Sequence, residues 1–211
     1  MKLDFDRVMA DLNSLPKGYK TADVDKLISK YVKIKADTSE LRPYIFDRQQ
    51  IHRIYFYVPL KQMKSAGERM RFIDRNLLFN DWWHTDQLIK YVSDLDFFEA
   101  LCYAEKYVKS SDPFIQRWGY VLFISGLGRG RAEEILPLMQ NSDHYYVQMA
   151  EAWLIAELAI FQPDPVYLWL KGCNLKYNIT GKAVQKICDS FRISESQKER
   201  FKSLRPILKA K

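Results

Sequence analysis

The chain has 211 residues, 47% of them apolar and 28% charged, with a formal net charge of +7. This balance excludes a disordered chain, and the length is enough to bury a core as one domain or two small ones. The positive excess favours a polyanionic partner, nucleic acid first.

The opening residues, Met1-Lys2-Leu3-Asp4-Phe5-Asp6, carry acids and no apolar run, so no secretory signal is expected. The longest apolar stretches, such as Gly119–Leu127, fall far short of the roughly 20 residues a bilayer span needs. A cytoplasmic protein without membrane contact is predicted. Cys102, Cys173 and Cys188 are too far apart for a CxxC pattern and sit in apolar helical contexts, so buried free thiols are expected.

Almost every segment has apolar residues at i, i+3 and i+4 rather than strand alternation. Helices are predicted near 3–14, 22–34, 47–59, 66–79, 82–93, 95–109, 113–127, 131–140, 144–161, 163–171, 180–190 and 194–204. Residues 1–42 read as two amphipathic helices joined through Leu15-Pro16-Lys17-Gly18, a capping layer for the remaining helices. Further on, Asp81, Asp112 and Asp143 stand 31 residues apart, each opening a helical segment that carries a tryptophan. Phe114, Ile115, Gln116 and Leu122 are matched 32 positions on by Tyr146, Val147, Gln148 and Leu154. A period in this range is the mark of stacked helical repeats. Short connections at Ser110-Ser111, Gly126–Gly130, Asn141-Ser142 and Gln162-Pro163 make neighbouring helices antiparallel. The predicted fold is therefore all-α, a superhelical stack of antiparallel helix pairs (HEAT-like repeats, an α-solenoid) forming one domain over 1–211.

Helix starts carry cap signals. Asp81, Asp112 and Asp143 read as caps, with Pro113 at a first helical position, and Thr180 and Ser194 are further candidates. From Gly181 to Lys211 nine bases face three acids, so the basic excess gathers at one end. That favours a polyanion as partner.

Four side chains could carry chemistry. Trp82 and Asp86 are four residues apart and share a helix face. An indole beside a carboxylate can hold a cationic centre, the ring covering it and the carboxylate balancing its charge. Arg117 stands early in an apolar helix, where it can pair with Asp86 from the preceding repeat or grip a phosphate. Trp153 completes the set, with core packing as its plainer reading. Gly126-Leu127-Gly128-Arg129-Gly130 superficially suggests a phosphate loop. It follows a helix and lacks the Gly-Lys-Ser/Thr ending, so it reads as a helix stop, with Arg129 or Arg131 free to touch a phosphate. His52, His84 and His144 have no second ligand at metal spacing, and no metal is expected.

Together these residues resemble the bacterial DNA alkylation repair glycosylases of the AlkD type, built from HEAT-like repeats. The resemblance runs from about Arg71 to Arg205. It rests on Asn80-Asp81-Trp82 with Asp86, on Phe114-Ile115-Gln116-Arg117, on Tyr145-Tyr146-Val147-Gln148-Met149-Ala150 with Trp153, and on Thr180-Gly181-Lys182-Ala183-Val184-Gln185-Lys186-Ile187. It implies a monofunctional glycosylase acting on double-stranded DNA with alkylated bases, monomeric and without metal or cofactor. Asp86 would be the catalytic carboxylate, Trp82 and Trp153 would line the cleft against the sugar, and Arg117 would hold the backbone nearby. Lys182, at a helix N-terminus, would contact a phosphate, with Lys186 as a further DNA contact. The chain departs from the family's pattern at Ala156, where a second arginine is common, and at Trp83 and His84. The family's Leu-Gly…Pro…Arg segment is not found in residues 1–60.

N3- or N7-alkylated purines are cationic and leave readily, so such an enzyme must chiefly stabilise positive charge developing on the deoxyribose. Two other readings share the fold: a DNA-binding relative without turnover, and a helical-repeat scaffold for a protein partner. Geometry separates them. Convergence of Trp82, Asp86, Arg117 and Trp153 on one accessible, basic cleft favours DNA. Buried tryptophans with Asp86 facing outward favour the scaffold.

Overall fold

A computed structural model describes all 211 residues. It is all-helical, with thirteen α-helices, short 3-10 turns and no strand. No helix is long and apolar enough to cross a membrane. The chain divides into two compact units, Met1–Asn76 and Leu77–Lys211.

The first unit holds α1 (Phe5–Asn13), α2 (Thr21–Lys33), α3 (Gln49–Gln62) and α4 (Ala66–Arg75). Asp4 caps α1 by accepting the Arg7 N–H, and Gly18 takes a positive φ of 77° in the turn to α2, as the Pro-Lys-Gly run predicts. α3 is its centre, burying Ile51, Ile54, Tyr55, Phe56, Tyr57, Val58 and Leu60. Arg53 on α3 pairs with both oxygens of Asp25 on α2, at 3.0 and 2.9 Å, and covers the Tyr57 ring.

The second unit holds α5 (Trp82–Asp86), α6 (Phe97–Tyr107), α7 (Pro113–Val121), α8 (Ala132–Ile135) and α9 (Tyr145–Phe161). It continues with α10 (Pro163–Gly172), α11 (Tyr177–Asp189), α12 (Glu195–Lys202) and α13 (Arg205–Lys209). α5 packs on α7, α7 on α9 and α9 on α11, so alternate helices form a row, while α6, α10, α12 and α13 pack against its members. α9 is apolar nearly all round, as a helix covered by neighbours on most sides must be.

Several predicted helices end early for local reasons. The segment 82–93 is a five-residue α5 followed by a 3-10 turn at Ile89–Tyr91. Pro137 turns the end of 131–140 into a 3-10 turn, and Gly126, at φ 105°, stops α7 after its last turn tightens. Asp81 and Asp112 are the N-caps expected, accepting the N–H groups of Trp82 and of Phe114 and Ile115. Asp143 is not a cap: α9 starts after His144, and Asp143 is exposed and paired with Lys176. Thr180 is not a cap either. α11 begins three residues before it, and its hydroxyl, fully buried, faces the Lys176 carbonyl one turn back. The thiols are free but not buried. Cys102 is exposed because α6 turns Ala100, Ala104 and Tyr107 inward, and Cys173 and Cys188 are half-exposed.

Candidate functional site

Asp81 shapes the start of the site. One carboxylate oxygen takes the Trp82 N–H at 2.7 Å and the other takes the Trp83 indole N–H at 3.1 Å. His84 and Thr85 turn inward, leaving Trp82 45% exposed and Asp86 one turn beyond it. His84 accepts the Asn80 N–H at Nδ1, 3.1 Å away, which requires an unprotonated nitrogen there. Burial lowers its pKa to about 4 against the opposing pull of Asp81.

Arg117, 31 residues later on α7, meets Asp86. Its Nε and Nη2 donate to Oδ1 at 3.1 and 2.9 Å, and Nη2 also reaches Oδ2 at 2.9 Å. Nη1 donates to the Tyr146 carbonyl in the first turn of α9 at 2.7 Å, so one guanidinium ties three helices together. The Thr85 hydroxyl lies 3.0 Å from Oδ1 and 2.8 Å from the Trp82 carbonyl. Its single proton serves one acceptor at a time. Oδ1 is thus crowded with donors while Oδ2 keeps acceptor capacity. Burial pushes the Asp86 carboxyl above its ordinary pKa, against the pull of Arg117 and Thr85. The forked guanidinium contact nonetheless matches a carboxylate rather than a carboxylic acid.

Of the two roles open to Arg117, ion pair or phosphate grip, it takes the first. It is 4% exposed, and Nε, Nη1 and Nη2 all have protein acceptors, so it fixes Asp86 instead of reaching outward.

The four expected residues line one open cleft of about 430 Å³, together with Tyr145, Tyr146, Met149 and Lys186. Tyr145, Met149 and Trp153 are spaced by four on α9 and share its face, a stripe whose spacing is visible in the sequence but whose exposure is not. Their helix is set by a second bond spanning the same 31-residue interval. Fully buried Glu151 takes the Tyr120 hydroxyl at 3.2 Å and the N–H groups of Gln140 and Asn141 at 2.8 and 3.0 Å. Burial raises its carboxyl despite those donors.

No family model, curated protein or solved structure matches this chain.

Lys186 stands on the wall shared by this cleft and an adjoining recess of about 350 Å³, lined also by Trp153, Ala156, Glu157, Asp189 and Phe191. Phe191, 93% exposed, carries no signal in the sequence pattern, nor does the Arg192–Glu157 pair that braces its turn at 2.9 and 2.6 Å. Lys182 is not at a helix N-terminus. It is the sixth residue of α11, where its backbone N–H has a helical acceptor, and its ammonium donates to Gln185 at 3.1 Å. Arg129 does not line the cleft and lies over the Phe161 ring at 4.7 Å, while Arg131 covers Phe97 and pairs with Glu134. No cluster of three His, Cys, Asp or Glu side chains could hold a metal ion.

Proposed function

We propose that the protein is a DNA glycosylase that removes cationic N3- or N7-alkylated purines from duplex DNA. We read α5, α7, α9 and α11 as the inner row of a HEAT-like stack facing the duplex. The observation that carries this reading is the meeting, in one open cleft, of a fixed carboxylate with two indoles and two phenols. Charge adds support. Arg117 balances Asp86, which leaves Lys186 as the cleft's excess charge and favours a ligand carrying phosphodiesters over a free cation.

The chemistry is set by the leaving group. As the C1′–N bond breaks, its electron pair neutralises the alkylated purine, so no general acid is needed. Positive charge moves to the deoxyribose, where the Asp86 carboxylate offers electrostatic stabilisation and the faces of Trp82 and Trp153 add cation–π attraction. Water then adds at C1′. Arg117 keeps the carboxylate ionised and aimed.

The test is release of 3- or 7-methylpurine from methylated duplex DNA. Asp86→Asn keeps an acceptor for Arg117 and should lower release by about 100-fold or more, with DNA affinity changed only a few-fold. Trp82→Ala, at an exposed position, should slow release with no loss of fold. Wild-type protein that binds methylated DNA but releases no base would exclude glycosylase activity.

A further inference from the structure

Lys186 is the one lysine of the C-terminal segment that stands half-buried with neither an ion pair nor a hydrogen bond, whereas Lys209, also without a partner, is exposed. Lys198 and Lys202 pair with Glu195 and Glu199, Lys211 reaches main-chain carbonyls, and Lys182 holds Gln185. Lys186 lines the cleft with Trp153, Tyr145, Tyr146 and Met149, the positive charge of Lys182 stands one turn back, and Arg117 lines the same cleft. Partial burial first, then those two cations, hold its ammonium below the ordinary lysine value, and Asp189 alone opposes them. A lysine desolvated among apolar side chains beside other cations is the setting in which the free amine becomes available as a nucleophile for carbonyl carbon.

On the reading that the cleft receives the damaged nucleotide's sugar, base excision leaves a deoxyribose there that opens to a C1′ aldehyde. We propose that Lys186 attacks this aldehyde and cleaves the strand, giving the protein a second, abasic-site lyase activity. The Nζ lone pair forms the N–C1′ bond, and the carbinolamine loses water to give an iminium. The iminium makes the C2′ hydrogen acidic, and water in the open cleft takes that proton. The released electron pair forms a C2′–C3′ double bond and expels the 3′ phosphate with the C3′–O bonding pair. Hydrolysis of the imine frees Lys186. No oxidant, reductant or metal enters the balance. A monofunctional enzyme, which the family resemblance implies, would stop at the abasic site.

The experiment supplies the abasic site directly, as a duplex with one deoxyuridine whose uracil has been removed beforehand. Full-length protein is mixed with it in the presence of borohydride, which reduces the imine to a stable amine. Wild type should give a denaturation-resistant protein–DNA adduct mapping by mass to Lys186. Without borohydride it should nick the strand about 100-fold faster than Lys186→Arg, which keeps the charge but not the nucleophile. No adduct with wild type, an adduct mapping elsewhere, or equal trapping by Lys186→Arg overturns the proposal. Because the substrate carries no alkylated base, the two readings fail separately. Methylpurine release without trapping leaves a glycosylase and removes only the lyase. Trapping at Lys186 without methylpurine release removes only the glycosylase.

Discussion

A guanidinium that is 4% exposed depends on its counter-charge, because leaving a buried ion unpaired costs about 3–5 kcal/mol. Asp86 therefore serves the fold as well as the site, which is why Asp86→Asn, retaining an acceptor oxygen, is a better probe than Asp86→Ala. His84, two residues away, gives this region its acid response. Its pKa falls from 6.5 to about 4 on folding, so the unfolded chain binds the proton first. The stability this gives is complete above about pH 6.5 and is lost as the pH falls towards 4, about 3 kcal/mol in all. His84→Asn places a non-titrating acceptor near Nδ1. The wild-type urea midpoint should drop more steeply than that of His84→Asn between pH 7 and 4, and parallel curves would exclude His84 as the cause.

At the scale of elements, two glycines make opposite predictions. Gly119 on α7 lies against the end of α6, where a Cβ would sit 2.9 Å from Val108 Cγ1 and 3.0 Å from its main-chain nitrogen. Overpacking there outweighs the helix propensity gained, so Gly119→Ala should lose about 1–2 kcal/mol. Gly172, last in α10, meets nothing within 4 Å, and Gly172→Ala should gain up to about 1 kcal/mol. Denaturant midpoints moving the same way in both variants would contradict this packing. The helices themselves are legible in the sequence because apolar periodicity records which face is covered. Their ends are less so. Pro137 and Gly126 shorten helices that periodicity alone extends, and Thr180 reads as a cap because its burial under neighbouring helices is a tertiary fact. The same misplaced boundary puts Lys182 at a helix start. Asp86, Arg117, Trp82 and Trp153 can be read from the 31-residue period because Arg117 meets Asp86 across one full interval. Lys186 carries no such signal for chemistry, since its distinction is half-burial in the cleft wall without a partner, which only the packed helices create.

Across the molecule, the basic C-terminal segment offers less free charge than its composition implies. Arg192, Lys198, Arg200 and Lys202 are paired with Glu157, Glu195, Asp164 and Glu199. On the proposed reading, with duplex DNA as the ligand and Lys182 on a phosphate, Lys182→Ala should flatten the log–log salt slope by about 0.9, the share of one phosphate contact. The double variant Arg192→Ala/Glu157→Ala removes a pair already neutral and should leave the slope unchanged. An equal flattening in both would mean that Arg192 leaves Glu157 for the DNA. The 31-residue span between Asp86 and Arg117 also sets an order in time. At synthesis rates of about 5–20 residues per second, Asp86 leaves the ribosome roughly 2–6 s before the cation that neutralises it. The Tyr146 carbonyl that completes the guanidinium's partners emerges later still. Through that interval burying the carboxylate is unfavourable, because no guanidinium is present to balance it. The Asp86–Arg117 pair, and with it this wall of the cleft, can therefore form only once α7 has been made.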